Sequence, residues 1–210
     1  MKSVANIVSV IFHPLLMCTY GSLTLFFLFK GSIYDFMTTT RLKLIICSMI
    51  FSFSCFLPII NMYILYKLRR ISTLTIQDQK ERTFPYFVTS CFYFGLFYLF
   101  LDLSIWPSIK VLIFGAGLAI MLTALINLKF KISAHMVGAG GLLGSVIIVS
   151  MAIKYNAVPL ICAIILVCGL VATSRLYLRA HEPRQIYSGF FLGFITQILI
   201  FILFQNFNFI

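Results

Sequence analysis

Long apolar runs separated by short polar connections make up almost the whole chain. A transmembrane helix needs roughly 20 apolar residues, and several of these runs have that length. In lipid, backbone polar groups must be bonded within the protein, so helices are expected throughout. The pattern predicts an all-α, polytopic bundle of about six or seven transmembrane helices, forming one membrane domain over residues 1–210. The apolar segments are Val4–Phe29, Leu42–Tyr66, Tyr86–Leu101, Ile109–Leu128, Met136–Ile153, Ala157–Thr173 and Ile186–Phe204.

Two of these segments have unusual features. The third, Tyr86–Leu101, is short enough to be re-entrant rather than spanning. The first contains His13 followed by Pro14, a polar pair expected to kink the helix rather than to act in catalysis. Lys2 precedes a long apolar run without a small-residue cleavage site, which predicts an uncleaved first helix rather than a signal peptide.

Composition agrees with a lipid environment. Hydrophobic residues make up 61% and charged residues 10% of the chain, whereas soluble domains carry about 25% charged residues. The net charge of +11 suits loops that contact anionic headgroups, and no soluble module is present to bind nucleic acid. All six cysteines lie in apolar segments without metal-like spacing, so free buried thiols are expected.

Three polar clusters precede the third, fifth and seventh segments. Lys80 and Arg82 form the first, Ser133 and His135 the second, and the range Arg175–His181 the third. Two membrane crossings separate each cluster from the next, and an even number of crossings returns the chain to the same face. The clusters are therefore expected to converge at one membrane surface, provided that the third segment crosses.

These residue types suit phosphate chemistry. Arginine offers a planar, permanently charged fork for phosphate oxygens. Histidine serves as nucleophile or general acid near pH 7. The five acidic residues are scattered, so no carboxylate cluster is expected to hold magnesium, and no metal or other cofactor is predicted.

The clusters also resemble a known family, the type 2 phosphatidic acid phosphatases (PAP2). The stretch Ser174–His181, with Ser-Arg, five residues and then His, is similar to the third signature motif. Lys131–His135 resembles a variant of the second motif, Pro-Ser-Gly-His, and Lys80–Pro85 resembles the first motif, Lys…Arg-Pro. The likeness covers about Lys80–Gly193 and extends to small PAP2-like proteins of Bacteroidetes-type bacteria.

The resemblance implies a role for each matching position. His181 would attack phosphorus and carry a phosphohistidine, and His135 would protonate the leaving alkoxide. Water would then hydrolyse the intermediate. The phosphate would be held by Lys80, Arg82, Ser133 and Arg175.

The chain departs from the family pattern at each motif. Thr75 stands where the first motif has its lysine, and Ile132 and Ala134 replace the proline and glycine of the second. Gln185 replaces the aspartate that orients the nucleophilic histidine, so it accepts the imidazole N–H without adding charge. Gln185 is still assigned to the catalytic group, with Glu182 as the nearest acid in sequence.

The predicted function is metal-independent hydrolysis of a lipid phosphate or diphosphate. Undecaprenyl diphosphate, phosphatidic acid, phosphatidylglycerol phosphate and lipid A phosphate are all candidate substrates, with the apolar tail between helices. A lipid phosphotransferase with the same site and a non-catalytic headgroup-binding protein are the alternatives. The expected location is a bacterial inner membrane, with the oligomeric state left open.

The side of the membrane that carries the site is also open. If all seven segments cross, eleven of the sixteen basic residues lie on the cluster face, which the positive-inside rule places in the cytoplasm. The family resemblance implies the outer face instead. The basic residues of the opposite face are Lys30, Arg41, Lys43, Lys110 and Lys154.

Overall fold

The computed structural model describes residues 2–29, 35, 38–74, 76 and 78–206, and these contain helices but no strand. The prediction of an all-α bundle is confirmed. Position 75 and Lys30, considered above, lie outside the described residues. The helices are α1 (Lys2–Ile11), α2 (Pro14–Leu23), α3 (Thr40–Phe51), α4 (Leu57–Lys67), α5 (Gln79–Phe100), α6 (Pro107–Asn127), α7 (Ala134–Ala152), α8 (Val158–Tyr177) and α9 (Pro183–Asn206).

Six helical stretches are long and apolar enough to cross a membrane. Five are α5 to α9, and the sixth is Thr40–Lys67, in which the π-helical turn Ser52–Phe56 joins α3 to α4. A seventh crossing would need α1 and α2 together, and these two are bent by 55°. The protein is therefore an integral membrane protein by the length and composition of its helices.

The first apolar segment is broken, not continuous. α1 ends at Ile11, and α2 begins at Pro14, where a proline needs no intrahelical N–H partner. His13 occupies the N-cap with an extended backbone, and its Nδ1 accepts the N–H of Leu15 at 3.4 Å. The predicted kink at His13 and Pro14 is confirmed, but a single helix over Val4–Phe29 is wrong.

The helix that contains the third apolar segment begins before the apolar residues do. α5 begins at Gln79, seven residues before Tyr86, because the Asp78 carboxylate caps it and accepts the N–H of Lys80 at 3.1 Å. With 22 residues, α5 has the length of a full crossing. Because the first turn of α5 is charged, the apolar pattern does not show where this helix begins.

Helices α7 and α9 pack backbone against backbone. A Cβ atom at Gly140 would overlap the carbonyl oxygen of Phe190, and one at Gly193 would overlap that of Val137. Gly144 is similarly close to the carbonyl oxygen of Phe194 in α9, and Gly138 is close to Met17 in α2, whereas a Cβ at Gly141 would meet its nearest neighbour at 3.7 Å. This contact fixes the start of α7 against the start of α9.

Candidate active site

One cavity of about 410 Å³ lies at the end of the bundle where α5, α7 and α9 begin. Its wall includes four of the residues predicted for the site, and each comes from a different helix or connection. Two crossings separate Arg82 from His135, and two more separate His135 from Arg175 and His181, so their meeting confirms the convergence expected from helix parity. The four residues are Arg82, His135, Arg175 and His181.

His181 is held by Gln185 one helical turn later. The ring Nδ1 lies 2.8 Å from Gln185 Oε1, and the same oxygen accepts the backbone N–H of Glu182 at 3.3 Å. Because this carbonyl oxygen only accepts, Nδ1 carries the proton of the neutral ring. The Nε2 nitrogen then keeps its lone pair, which is the tautomer that a nucleophilic histidine needs.

His181 is also neutral at pH 7. Its side chain is buried, and this loss of hydration is the main reason that its pKa is lowered to about 4. The hydrogen bond to Gln185 opposes this shift, and the nearby charges of Arg82, Arg175 and Lys131 contribute to it. The imidazole is therefore available as a nucleophile over the physiological pH range.

Two arginines supply the positive charge of the cavity. Arg82 is buried, and its Nε donates to the carbonyl of Ile76 at 2.8 Å, while Arg175 Nη1 donates to Ser9 Oγ at 3.3 Å. The two guanidinium groups are close enough to repel each other. No carboxylate lines the cavity among the described residues, so this repulsion favours a bound anion.

Two buried polar atoms beside the cavity have no hydrogen-bond partner. They are Arg175 Nε and Ser133 Oγ. Ser133 occupies the N-cap of α7, but its hydroxyl makes no capping bond, and its N–H donates to the carbonyl of Gln185 at 3.2 Å. An unsatisfied buried donor costs about 1–3 kcal/mol, and an anion in the cavity would recover this cost at Arg175 Nε. Ser133 itself does not line the cavity.

His135 faces a different partner from His181. Its Nε2 lies 3.1 Å from the carbonyl oxygen of Ser9, so the proton of the neutral ring is on Nε2. To act as an acid toward a leaving group, His135 must take up a second proton on Nδ1. The structure thus places His135 in the cavity and defines the nitrogen through which it would work.

The third histidine of the chain also lines the cavity. The ring of His13 lies 5.4 Å from that of His135, edge to face, at the break between α1 and α2. The sequence interpretation treated His13 as a kink only, and the structure adds a position in the site. Its signal was the rarity of histidine, since the chain has three and all three meet here.

The structure does not bring Lys80 to the cluster. Lys80 is exposed and absent from the cavity wall. Lys131 is half-buried and lowers the pKa of His181, which shows that its charge acts at the site. Burial lowers the pKa of Lys131 itself, and the charges of Arg82 and Arg175 lower it further. Lys131 does not line the cavity either, so its contribution to the site is confined to this electrostatic effect.

The donor set does not suit a metal ion. No group of three His, Cys, Asp or Glu residues among the described residues could hold one. The cavity instead combines two arginines with three histidines, which can bind and transfer a phosphoryl group.

Comparison with known proteins does not assign the chain to a family. No protein-family model matches it, and no curated protein or solved structure matches it. The function must therefore be argued from the site.

Proposed function

We propose that this protein is a membrane lipid phosphatase of the PAP2 type, which hydrolyses a lipid phosphate or diphosphate through a phosphohistidine. The observation that carries the proposal is the state of His181. A buried neutral imidazole with Nδ1–H held by Gln185 and Nε2 unprotonated adjoins two arginines that have no carboxylate partner within the described part of the chain. This arrangement is suited to attack on an anionic phosphorus centre.

The first step forms a nitrogen–phosphorus bond. The Nε2 lone pair of His181 attacks phosphorus, and the bond to the leaving oxygen breaks with its electron pair on that oxygen. Arg82 and Arg175 stabilise the charge on the phosphoryl oxygens. His135, protonated on Nδ1 once the anionic phosphate has bound, donates this proton to the leaving oxygen.

The second step returns the enzyme to its starting state. Water attacks the phosphohistidine, the nitrogen–phosphorus bond breaks, and its electron pair returns to Nε2 of His181. His135, now neutral, accepts the proton of the attacking water. This step releases inorganic phosphate, whereas the first step has already released the lipid alcohol from a monophosphate or the lipid monophosphate from a diphosphate.

Substitution of aspartate by Gln185 leaves the histidine usable. In a serine protease, replacement of the triad aspartate by asparagine costs about 10⁴ in rate because the histidine adopts the wrong tautomer. Here the oxygen of Gln185 receives the Nδ1 proton, so the tautomer is the productive one. What is lost is the negative charge that would stabilise an imidazolium, and a lower rate is the expected consequence.

Phosphate release from purified protein tests this proposal. Detergent-solubilised protein would be given undecaprenyl diphosphate, phosphatidic acid, phosphatidylglycerol phosphate and lipid A, all with EDTA present. We expect release from at least one lipid, and its loss by at least about 10³-fold in His181→Ala. Arg184→Ala removes an exposed charge outside the cavity and should leave the rate unchanged. No release from any lipid would favour a headgroup-binding protein, and release that persists in His181→Ala would contradict the mechanism.

A further inference from the structure

The cavity continues well beyond the histidines. On α5 its wall runs from Arg82 to Tyr93, and on the antiparallel α6 from Thr123 to Leu112. Each stretch contains twelve residues, and the eleven steps between its ends correspond to about 16 Å at 1.5 Å per residue. This depth is about half of the roughly 30 Å hydrocarbon core of a bilayer, or the thickness of one leaflet.

The inner part of the cavity is apolar. Its polar side chains already have protein partners: Gln197 Nε2 donates to the carbonyl of Leu112 at 3.1 Å, and Tyr93 is hydrogen-bonded to Ser54. The charged residues are confined to the outer end. The remaining wall of the inner part includes Met17, Cys18, Leu112, Ala116 and Leu142.

The dimensions fit one extended chain. The cavity volume of about 410 Å³ is near the lower end of the roughly 300–1,000 Å³ of pockets that take one small ligand, and part of it must hold the phosphate. The volume left along α5 and α6 therefore suits one hydrocarbon chain better than two. The inner cavity is therefore a channel rather than a broad pocket.

The mouth of the cavity is bordered by apolar side chains that face outward. Val10 on α1 is 69% exposed and Leu74 in the connection before α5 is 47% exposed, and both line the cavity. The opening therefore lies between α1 and this connection. These two exposed side chains give the outer end of the cavity an apolar border beside its charged residues.

We propose that the inner cavity holds the hydrocarbon chain of the substrate, and that this substrate is a phosphate or diphosphate carried on a single long chain. The proposal rests on the proposed function for the position of the phosphate and extends it to the tail. The phosphate lies among the arginines and histidines, and the chain extends along α5 and α6 toward Tyr93. A two-chain lipid would have to leave its second chain outside.

Ala116→Phe tests this proposal because it places a ring on the channel wall. Ala163→Phe is the matched control, since Ala163 is exposed on α8 and does not line the cavity. Binding of butyl, dodecyl and farnesyl phosphonate would be measured by calorimetry in one detergent. Phosphonates are not hydrolysed, so the assay reports on the channel whether or not the protein is an enzyme. Partition of a ligand into micelles changes its apparent Kd equally for the variant and the wild type, so this effect cancels in the ratio of the two values.

We expect Ala116→Phe to leave butyl phosphonate binding unchanged and to weaken dodecyl and farnesyl phosphonate at least tenfold. Ala163→Phe should change none of them. A diacyl phosphonate at equal mole fraction should bind the wild type at least tenfold more weakly than the single-chain compounds. Equal effects of Ala116→Phe at every chain length, or equal binding of the diacyl compound, would overturn the proposal. If the protein hydrolyses a lipid phosphate but phosphonate binding does not depend on chain length, the phosphatase proposal stands and the tail site is refuted. If phosphonate binding depends on chain length but no lipid phosphate is hydrolysed, the tail site stands and the phosphatase proposal is refuted.

The unmodified protein offers a second test if Ala116→Phe does not fold. Cys18 is a free thiol on the inner wall. Dodecyl phosphonate should slow its alkylation by a small thiol reagent at least tenfold, measured by mass spectrometry of the Cys18 peptide, and butyl phosphonate should not. Equal protection by both compounds, or by neither, would overturn the proposal.

Discussion

The hydrogen bond between His181 and Gln185 controls the chemistry proposed for this site. It fixes the proton of the neutral ring on Nδ1 and leaves Nε2 for attack on phosphorus. The spacing of four residues places both side chains on neighbouring turns around the start of α9, so the sequence predicted the pair correctly. The contribution of burial to the pKa of His181 came only from the fold.

Removal of the Gln185 carbonyl should therefore slow catalysis more than it weakens binding. In Gln185→Leu the Nδ1 proton loses its acceptor, and the neutral ring is free to adopt the unproductive tautomer. We expect kcat to fall by about 10²-fold or more with little change in KM. Steady-state kinetics on the best lipid substrate would measure this split, and a change confined to KM would argue against an orienting role.

Replacement of Gln185 by glutamate should change the pH dependence. The pKa of His181 is lowered to about 4 by burial, so the acid limb due to this residue lies far below pH 7 in the wild type. A carboxylate in contact with the ring favours the imidazolium and raises this pKa. In Gln185→Glu the acid limb of the kcat/KM profile should move to higher pH by at least one unit. Ionisation of the substrate affects the wild type and the variant equally, so it does not contribute to this difference. Superimposable profiles would show that residue 185 does not contact the ring.

The stability of the folded protein should also depend on the protonation of His181. The folded-state pKa of His181, about 4, lies below the unfolded value of about 6.5, so the unfolded protein binds more protons between these values. The stabilising contribution is complete above about pH 6.5 and is lost as pH falls toward 4. The thermal midpoint in detergent should fall more steeply over this interval in the wild type than in His181→Phe. Parallel curves would mean that His181 is not buried in the neutral form.

At the scale of helices, the site depends on contacts that the sequence shows only in part. The glycines of α7 are visible in the sequence, but only the fold shows that Gly140 and Gly144 lie against α9. The contact between α1 and α8 had no such signal. It carries Ser9 to both His135 and Arg175, so the contribution of α1 to the site could not be predicted. Position 131 was visible as a charge, but only the fold shows that it acts at His181.

The α7–α9 contact can be tested with a single methyl group. In Gly193→Ala the new Cβ would overlap the carbonyl of Val137, so the helices must separate and the start of α7 must move away from Gln185. Overpacking of this kind costs about 1–3 kcal/mol, or roughly 5 °C in the thermal midpoint. Gly169→Ala is the control, because nothing lies within 4 Å of its Cβ position. Equal midpoints for the two variants would contradict the close contact.

At the scale of the whole molecule, the even number of crossings between clusters explains how distant parts of the sequence form one site. The apolar pattern gave the number and order of the crossing helices because lipid exposure requires long apolar stretches. It missed the break after Ile11 and the polar first turn of α5, because both depend on capping residues rather than on hydropathy.

This topology predicts which residues are accessible from one side of the membrane. Lys80 and Arg184 lie at the site end of α5 and α9, and Ser104 lies in the connection at the other end of α5. A membrane-impermeant maleimide should label Lys80→Cys and Arg184→Cys from the same side of sealed vesicles and Ser104→Cys from the opposite side. Labelling of Lys80→Cys and Ser104→Cys from one side would mean that α5 does not cross. The side itself would also decide between the positive-inside rule and the outer-face alternative.

Phosphorylation of His181 is the step on which the proposed function depends, and trapping the phosphorylated protein shows whether it occurs. The protein would be mixed with excess substrate for milliseconds, quenched in alkaline denaturant, which preserves phosphohistidine, and analysed by peptide mass spectrometry. We predict a phosphoryl group on His181 in the wild type, and none at this position or elsewhere in His181→Ala. Substrate turnover without a phosphorylated His181, or phosphorylation at His135 or His13 instead, would contradict the account.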